Sequence, residues 1–265
     1  MKHLTFIILS LFIVGFTGCS LKVDTLKQDS INVENKTLSM SEEEQFLNEF
    51  EDEIKVEKRL DPLSRYNRIM TNFNDGAFEY VISPVARGYQ TVVHKEIRIS
   101  VGNFFHNILY PIRLINNLLQ GKVKNSGEET GRFIINSTIG ILGLFDPAKS
   151  YFGLEAHDED FGQTLGFYGV GAGPHIVLPL FGPSNLRDTF SMYPDYLLNP
   201  LDYDDERSYN LTNNYGESLV LKAYSRINHV SLHEGKYEKI KENAIDLYPF
   251  LRDVYEQHRE QQIKE

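Results

Sequence analysis

Cys19 is the only thiol in the chain, and its setting points to acylation. Ahead of it run a basic start (Met1, Lys2, His3), an apolar stretch from Leu4 to Val14 and the small-residue tail Phe16-Thr17-Gly18. That order is the layout of a secretory signal peptide. A thiol just after the cleavage point can be diacylated, and the new amine can be acylated as well. Phe16 departs from the Leu usual three residues before such a cysteine. A lone cysteine cannot make an internal disulfide. The expectation is a leader over 1–18 and a mature chain that begins at an acylated Cys19; the alternative is a plain signal peptide with an incidental cysteine.

The other reactive groups assemble into nothing catalytic. There is no Gly-x-Ser-x-Gly elbow, so no hydrolase nucleophile is supported. His157-Asp158-Glu159-Asp160 crowds four metal-ligating types together, but consecutive side chains diverge, and a helix start with Asp158 as N-cap is the better reading. His229 and His233 have the i, i+4 spacing of a zinc pair, without a third ligand in view. Asp202, Asp204 and Asp205 resemble the opening of a calcium loop, yet Arg207 stands at the required glycine and Asn213 at the required glutamate. Gly169-Val170-Gly171-Ala172-Gly173-Pro174 is neither a dinucleotide fingerprint nor a phosphate loop, because Pro174 replaces the third glycine and no Gly-Lys-Ser/Thr follows. No catalytic residue, metal or cofactor is expected.

A set of amides is the remaining chemical signal. Between Ile97 and Gly121 the only charges are Arg98 and Arg113. Phe104, Ile108, Ile112, Ile115 and Leu119 recur at helical spacing, and Asn103, His106, Asn107, Tyr110, Arg113, Asn116, Asn117 and Gln120 fall on the opposite stripe. A helix facing bulk water carries Lys and Glu there. Amides suit a shielded polar surface such as a channel lining or a membrane interface, and Asn103, Asn107, Arg113, Asn116, Asn117 and Gln120 are the candidate lining. An ordinary helix facing its core is the equal alternative.

The elements that must position this stripe are mostly helical. Ser41 with Glu44 opens a helix that ends near Arg59, and Asp61-Pro62 starts another carrying Leu63, Tyr66, Ile69, Met70 and Phe73. Asn74-Asp75-Gly76 is expected to break or bend it, Ser83-Pro84 to mark a turn, and Pro111 to bend or restart the next. Ser126 and Glu129 read as a capping box, followed by an uncharged stretch from Phe133 to Phe145 in which Gly140 and Gly143 weaken the helix and are candidates for its end, with Asp146-Pro147 stopping it at the latest. As a helix that stretch spans roughly 20 Å, short of a hydrocarbon core of about 30 Å. Helices are also expected beyond Tyr215 and from Ile245 to the end, and no alternating strand pairs are seen. The fold class is mainly α.

Charge is unevenly spread. Overall the chain carries −10, which argues against nucleic acid as a partner. Asp24–Lys58 has eleven acidic and four basic residues, whereas Leu60–Phe145 has six acidic and nine basic. The first reads as a solvated spacer and the second as the part able to lie against lipid headgroups.

An ordered run of motifs resembles the MlaA/VacJ family of outer-membrane lipoproteins. It begins with Asp61-Pro62-Leu63, Tyr66-Asn67-Arg68 and Asn72-Phe73-Asn74, then Pro84-Val85-Ala86 with Gly88-Tyr89 and Asn103-Phe104-Phe105-His106-Asn107. Asn116-Asn117-Leu118-Leu119-Gln120-Gly121-Lys122, Gly131-Arg132-Phe133, Asn136-Ser137-Thr138 and Gly143-Leu144-Phe145-Asp146 follow. The run continues through His157 to Gly166, then Gly173-Pro174, Val177-Leu178-Pro179-Leu180, Gly182-Pro183-Ser184 and Leu186-Arg187-Asp188, with a weaker tail at Asp246, Tyr248, Arg252, Tyr255 and Arg259. The resemblance covers about 61–260 as a helical domain, behind the leader 1–18 and the acylated N-terminus and acidic spacer 19–60 and ahead of a charged tail 261–265. It implies a ring- or disc-like assembly of amphipathic helices lying in one leaflet of the outer membrane, held on the periplasmic side through Cys19. An amphipathic passage would take mislocalised phospholipid from the outer leaflet. The implied partners are a trimeric porin and a soluble periplasmic lipid carrier feeding an inner-membrane ABC transporter. Asn72, Phe73, Asn74, Gly173 and Pro174 would have structural or gating roles. The competing reading is a scaffolding lipoprotein that docks to porins without conducting lipid.

Overall fold

The computed structural model describes residues 61–265. The leader, Cys19, the acidic spacer and the helix expected over 41–59 lie outside the described residues.

The first helix, α1 (Ser64–Ala77), has Leu63 rather than Asp61 as its N-cap. The Asp61-Pro62 pair belongs to the turn ahead of it. Asn74-Asp75-Gly76 does not break α1. The chain runs on through a π-helical stretch, Phe78–Ile82, into α2 (Ser83–Val92). Pro84 sits in the first turn of α2, so Ser83-Pro84 marks a change of hydrogen-bond pitch and no turn. The wider π pitch lies just ahead of a residue that has no N–H to donate.

Next come α3 (Lys95–Ile108) and α4 (Tyr110–Leu119), and Pro111 in the first turn of α4 restarts the helix. The fifth helix, α5 (Val123–Thr138), begins before Ser126 and Glu129, which are buried inside it and cap nothing. Its helical pattern ends at Thr138, not Phe145, and Asp146-Pro147 starts α6 (Pro147–Phe152), with the Asp146 carboxylate capping Lys149 N–H. The short α7 (Phe161–Phe167) is capped by Asp160, not Asp158, because the Asp160 carboxylate accepts from Gln163 N–H.

The glycine- and proline-rich region holds a two-stranded antiparallel hairpin, β1 (His175–Leu178) and β2 (Gly182–Asn185), in the register His175 to Asn185 and Leu178 to Gly182. Strands this short leave no alternating pattern to read. Four helices complete the chain: α8 (Leu186–Leu198), α9 (Tyr215–Leu232), α10 (Lys236–Asn243) and α11 (Leu247–Lys264). Asn185 caps α8 and Asn214 caps α9. In packing, α4 lies on α5, α9 on α2 and α3, α8 on α7, and α11 on α7, β2 and α1.

What fills the interior is unusual. Among the described residues twenty-nine polar or charged side chains are buried, against ten hydrophobic ones. Many large apolar side chains, Ile134, Ile139, Phe145, Phe152 and Phe190 among them, are exposed. No helix among the described residues is long and apolar enough to cross a membrane.

Candidate functional site

The amide stripe faces inward. Asn116 and Asn117 are 0 % exposed, and Asn107, Arg113 and Gln120 are buried with them. Leu118 and Leu119, from the same helix, are 48 % and 44 % exposed. Thus α4 is amphipathic with its polar face on the protein and its apolar face outward.

The polar face of α4 meets a second inverted helix. On α5, Ser126, Glu129, Arg132 and Asn136 are buried at helical spacing, while Val123 and Ile134 point out. Arg113 Nε donates to Glu129 Oε2 at 2.7 Å, and its Nη1 donates to the His106 carbonyl at 2.7 Å. The other oxygen of Glu129 accepts from His157 N–H at 2.8 Å. Arg132 carries the chain of charges on to Asp146 at 2.8 Å, and Asn136 bridges that carboxylate to Ala148 N–H. Against the upward pull of burial, Arg132 and Asn136 hold the Asp146 carboxyl below the usual range.

Nearer the end of α4 the hydrogen bonds run in one direction. Gln120 Nε2 donates to Glu159 at 2.7 Å and to Thr164 Oγ1 at 3.3 Å. Thr164 donates to Asn116 Oδ1 at 2.9 Å, and Asn116 Nδ2 donates to Asp195 at 3.1 Å. Lys122 closes the other end on Glu159 at 2.6 Å. Asn117 gives its N–H groups to the carbonyls of Arg113 and His157. Two buried acceptors, Asn117 Oδ1 and Gln120 Oε1, receive no donor.

Asn103 is only half-buried and makes a long contact, 3.4 Å, to the Leu144 carbonyl. Asn107 bonds Ser137 Oγ at 2.9 Å and lies under Gly143. At Gly143 φ is +87°, and a Cβ would sit 2.5 Å from Asn107 Cβ, so only glycine fits. The loop that Gly143 belongs to holds Ile141 and Leu142 in the left-handed region with both side chains largely exposed, at 57 % and 65 %.

The residues expected to be structural or gating divide. Asn72 and Phe73 are exposed on α1. Asn74 is engaged: its Nδ2 donates to the Leu178 carbonyl at 2.9 Å and its Oδ1 accepts from Leu180 N–H at 2.7 Å. Asn67, two turns earlier, repeats the pattern on the His175 carbonyl and Val177 N–H, both at 2.9 Å. Two side-chain amides therefore stand in for a third strand along the free edge of β1. Gly173, at φ +70°, turns the chain into the hairpin, and the Pro174 carbonyl accepts from Leu186 N–H.

A second buried polar centre binds α11. Arg259 grips Asp160 with both terminal nitrogens at 2.7 and 2.8 Å and reaches Asp188 through Nε at 2.9 Å. Tyr255 and Asn185 also donate to Asp188, and His175 pairs with Glu256 at 2.8 Å. In the sequence Asp188 and Arg259 stand only as members of motifs, and Asp160 also as one of four crowded metal-ligating types. Their sequence separation hides the cluster, and no local signal marks Arg259 as the buried charge of its helix.

His229 and His233 stack on each other with centroids 4.3 Å apart. Burial first, then His233, pushes His229 down to about 4. No group of three His, Cys, Asp or Glu arranged to hold a metal occurs among the described residues.

Residues 59–262 match the family described as MlaA lipoprotein. The chain belongs to the MlaA lipoprotein family. An uncharacterised Rickettsia bellii protein is 34 % identical over 205 residues, covering 77 % of each chain. The Haemophilus influenzae protein named intermembrane phospholipid transport system lipoprotein MlaA is 35 % identical over 152 residues, 54 % of this chain and 61 % of its own length. Its Escherichia coli counterpart is 37 % identical over 135 residues, 49 % of this chain and 53 % of its own. A solved structure described as the structural basis for maintenance of bacterial outer membrane lipid asymmetry superposes with a TM-score of 0.64 at 28 % identity, over 77 % of this chain and 100 % of that one. MlaA membership and a mainly helical fold thus agree.

Proposed function

We propose that this protein is an outer-membrane lipoprotein that moves phospholipid between membranes, taking it from the outer leaflet along the polar interior around α4. The observation that carries this is the inversion of α4 and α5, with amides and ion pairs inside and leucine and isoleucine outside. In water such a surface is a liability. In lipid it costs nothing, and the polar interior is the one place for a headgroup to pass. The orphaned Asn117 Oδ1 and Gln120 Oε1 leave acceptor capacity for a donor group there. Named relatives in the family supply the intermembrane phospholipid role. An acyl group on Cys19 would anchor the chain on the periplasmic side, and two or three acyl chains anchor stably where one does not. A trimeric porin and a soluble periplasmic carrier are the partners this reading calls for, and no catalytic step is needed.

The test is the double variant Asn107→Leu/Asn116→Leu in cells lacking the native protein. Surface-exposed phospholipid should rise while the variant still fractionates with the outer membrane. Normal surface phospholipid in that variant would leave the scaffolding role as the better account.

A further inference from the structure

Between Asp158 and Asp205 every charged residue is buried or half-buried. The exposed side chains of that stretch include Phe167, Val170, Phe181 and Phe190. Helix α8 lies within it, and its exposed residues are Leu186, Phe190, Met192 and Tyr193, with no charge among them. Past the C-terminus of α8 the surface changes character: Asp205 and Glu206 are exposed, and Asn213 and Asn214 after them. One helix and the loop behind it thus pass from an uncharged surface to an acidic one.

Tyrosines collect where the change occurs. A third of the chain's fifteen tyrosines fall between Tyr193 and Tyr215, and direct contacts gather them around the last turns of α8. Tyr193 stacks on Tyr196 with ring centroids 6.4 Å apart, the Tyr196 hydroxyl donates to the Tyr203 carbonyl at 2.8 Å, and Tyr203 meets Tyr215 edge-on at 5.0 Å. The Tyr209 hydroxyl donates to the Leu197 carbonyl at 2.5 Å. Arg207 pins the group. Its guanidinium donates to the carbonyls of Tyr196, Leu197 and Asp202, each at 3.0 Å, and lies over the rings of Tyr196 and Tyr209. The Tyr203 hydroxyl turns to Asp205, which sets ring and acid side by side. Tyr193 and Tyr215 stay 67 % and 66 % exposed.

We propose that this tyrosine group is an interfacial girdle: it meets the headgroup layer of a phospholipid membrane, with α8 running from there toward the lipid tails and the acidic loop 199–214 standing in water. A tyrosine joins an apolar ring to a polar hydroxyl, which is why the residue gathers where tails give way to headgroups. Asp205 and Glu206 are kept out of hydrocarbon by the cost of desolvation and away from anionic lipid by repulsion, so they fix which side is water. From Leu186 to Leu198 the helix rises roughly 18 Å, less than a hydrocarbon core of about 30 Å, so one end can meet the headgroups while the other stays in lipid. A protein-docking patch sets its aromatic anchors at the centre of a polar rim. These rings line an edge instead, with uncharged surface on one side and carboxylates on the other. The inference rests on the reading that the apolar surface lies in lipid, and it adds the level and the orientation at which it does.

The chain contains no tryptophan, so a single introduced one reports its own depth. The full-chain variants Phe190→Trp, Tyr193→Trp, Tyr215→Trp and Glu206→Trp are placed in phosphatidylcholine nanodiscs whose acyl chains carry bromine near the headgroup end or near the tail end. Aqueous iodide is the opposing quencher. All these positions are exposed, so unfolding midpoints in detergent should match that of the native chain. Phe190→Trp should be quenched by lipid bromine and shielded from iodide, and Glu206→Trp the reverse. Tyr193→Trp and Tyr215→Trp should be quenched more strongly by the shallow bromine than by the deep one. Stronger quenching there by the deep bromine, or by iodide alone as on a surface reserved for a protein, would overturn the girdle, as would lipid quenching of Glu206→Trp. If Phe190→Trp also answered only to iodide, the lipid-facing reading would fall with it. Lipid-quenched Phe190→Trp beside aqueous tyrosine positions would sink the girdle alone.

Discussion

Glu129→Ala removes the carboxylate that neutralises Arg113 and accepts His157 N–H, in a pair whose side chains are 8 % and 0 % exposed. Two donors lose their acceptor at once. A charge-assisted hydrogen bond contributes about 1.5–3 kcal/mol and a stranded buried N–H costs about 1–3 kcal/mol. These converge on the roughly 3–5 kcal/mol expected when one partner of a buried ion pair is deleted. Against a total stability of about 5–15 kcal/mol that is a severe loss. Denaturant unfolding in detergent should show it as a lower midpoint with an unchanged slope. The double replacement Arg113→Met/Glu129→Leu should recover most of the loss, since an apolar pair leaves no uncompensated charge. A cost below about 1 kcal/mol for Glu129→Ala is what a solvated pair gives. It would mean that the resting interior is wet and that the sealed polar seam between α4 and α5 is wrong.

Asn67→Ala strips two of the hydrogen bonds that pin β1 to α1, leaving those of Asn74, and should cost about 1–3 kcal/mol, with faster hydrogen exchange at Val177; unchanged exchange there would mean that Asn74 and β2 suffice to hold the hairpin. Leu142→Asp, on the exposed left-handed loop, should leave the unfolding midpoint in detergent in place but weaken binding of the Cys19→Ala protein to phospholipid vesicles, measured by co-sedimentation. Asp160 and Asp188 are held low, against burial, by Arg259. Their folded values lie below their unfolded ones, so the stability they confer is present above the ordinary carboxylate range and is lost as pH falls through it. Arg259→Met should flatten the acid limb of an unfolding free-energy titration, and an unaltered limb would place acid sensitivity elsewhere.

The helices were legible where periodicity was strong. Pro111 and the apolar run after Tyr215 located α4 and α9 within a few residues, and the two stripes of α4 were both real. Which stripe faces in was not legible, because periodicity reports that a helix has two faces and is silent on the solvent around it. The same blindness turned Ser126 and Glu129 into a capping box, when their spacing with Arg132 and Asn136 was a polar stripe. The hairpin stayed hidden because its outer edge is completed by Asn67 and Asn74, more than a hundred residues away in sequence. Asp195 gave no sign at all. Its partners Asn116 and Phe161 come from two other elements, and no local pattern encodes that junction.

An inverted interior changes what specifies the fold. In water, apolar burial supplies most of the driving force and polar groups are tolerated inside only when paired. In lipid, an apolar side chain gains little by leaving the tails for the core, so hydrogen bonds and close packing decide which helices meet. The seam between α4 and α5 is built accordingly. It rests on Arg113–Glu129 and on the stacked rings of Tyr110 and Phe133, while Arg132–Asp146 ties α5 to the start of α6 and Asn107 of α3 reaches Ser137 of α5. Directional bonds of this kind have few alternative partners, which gives one arrangement a wide margin over others. Such a seam can therefore be rigid at rest and still part to admit a polar group, the combination that the proposed phospholipid passage requires.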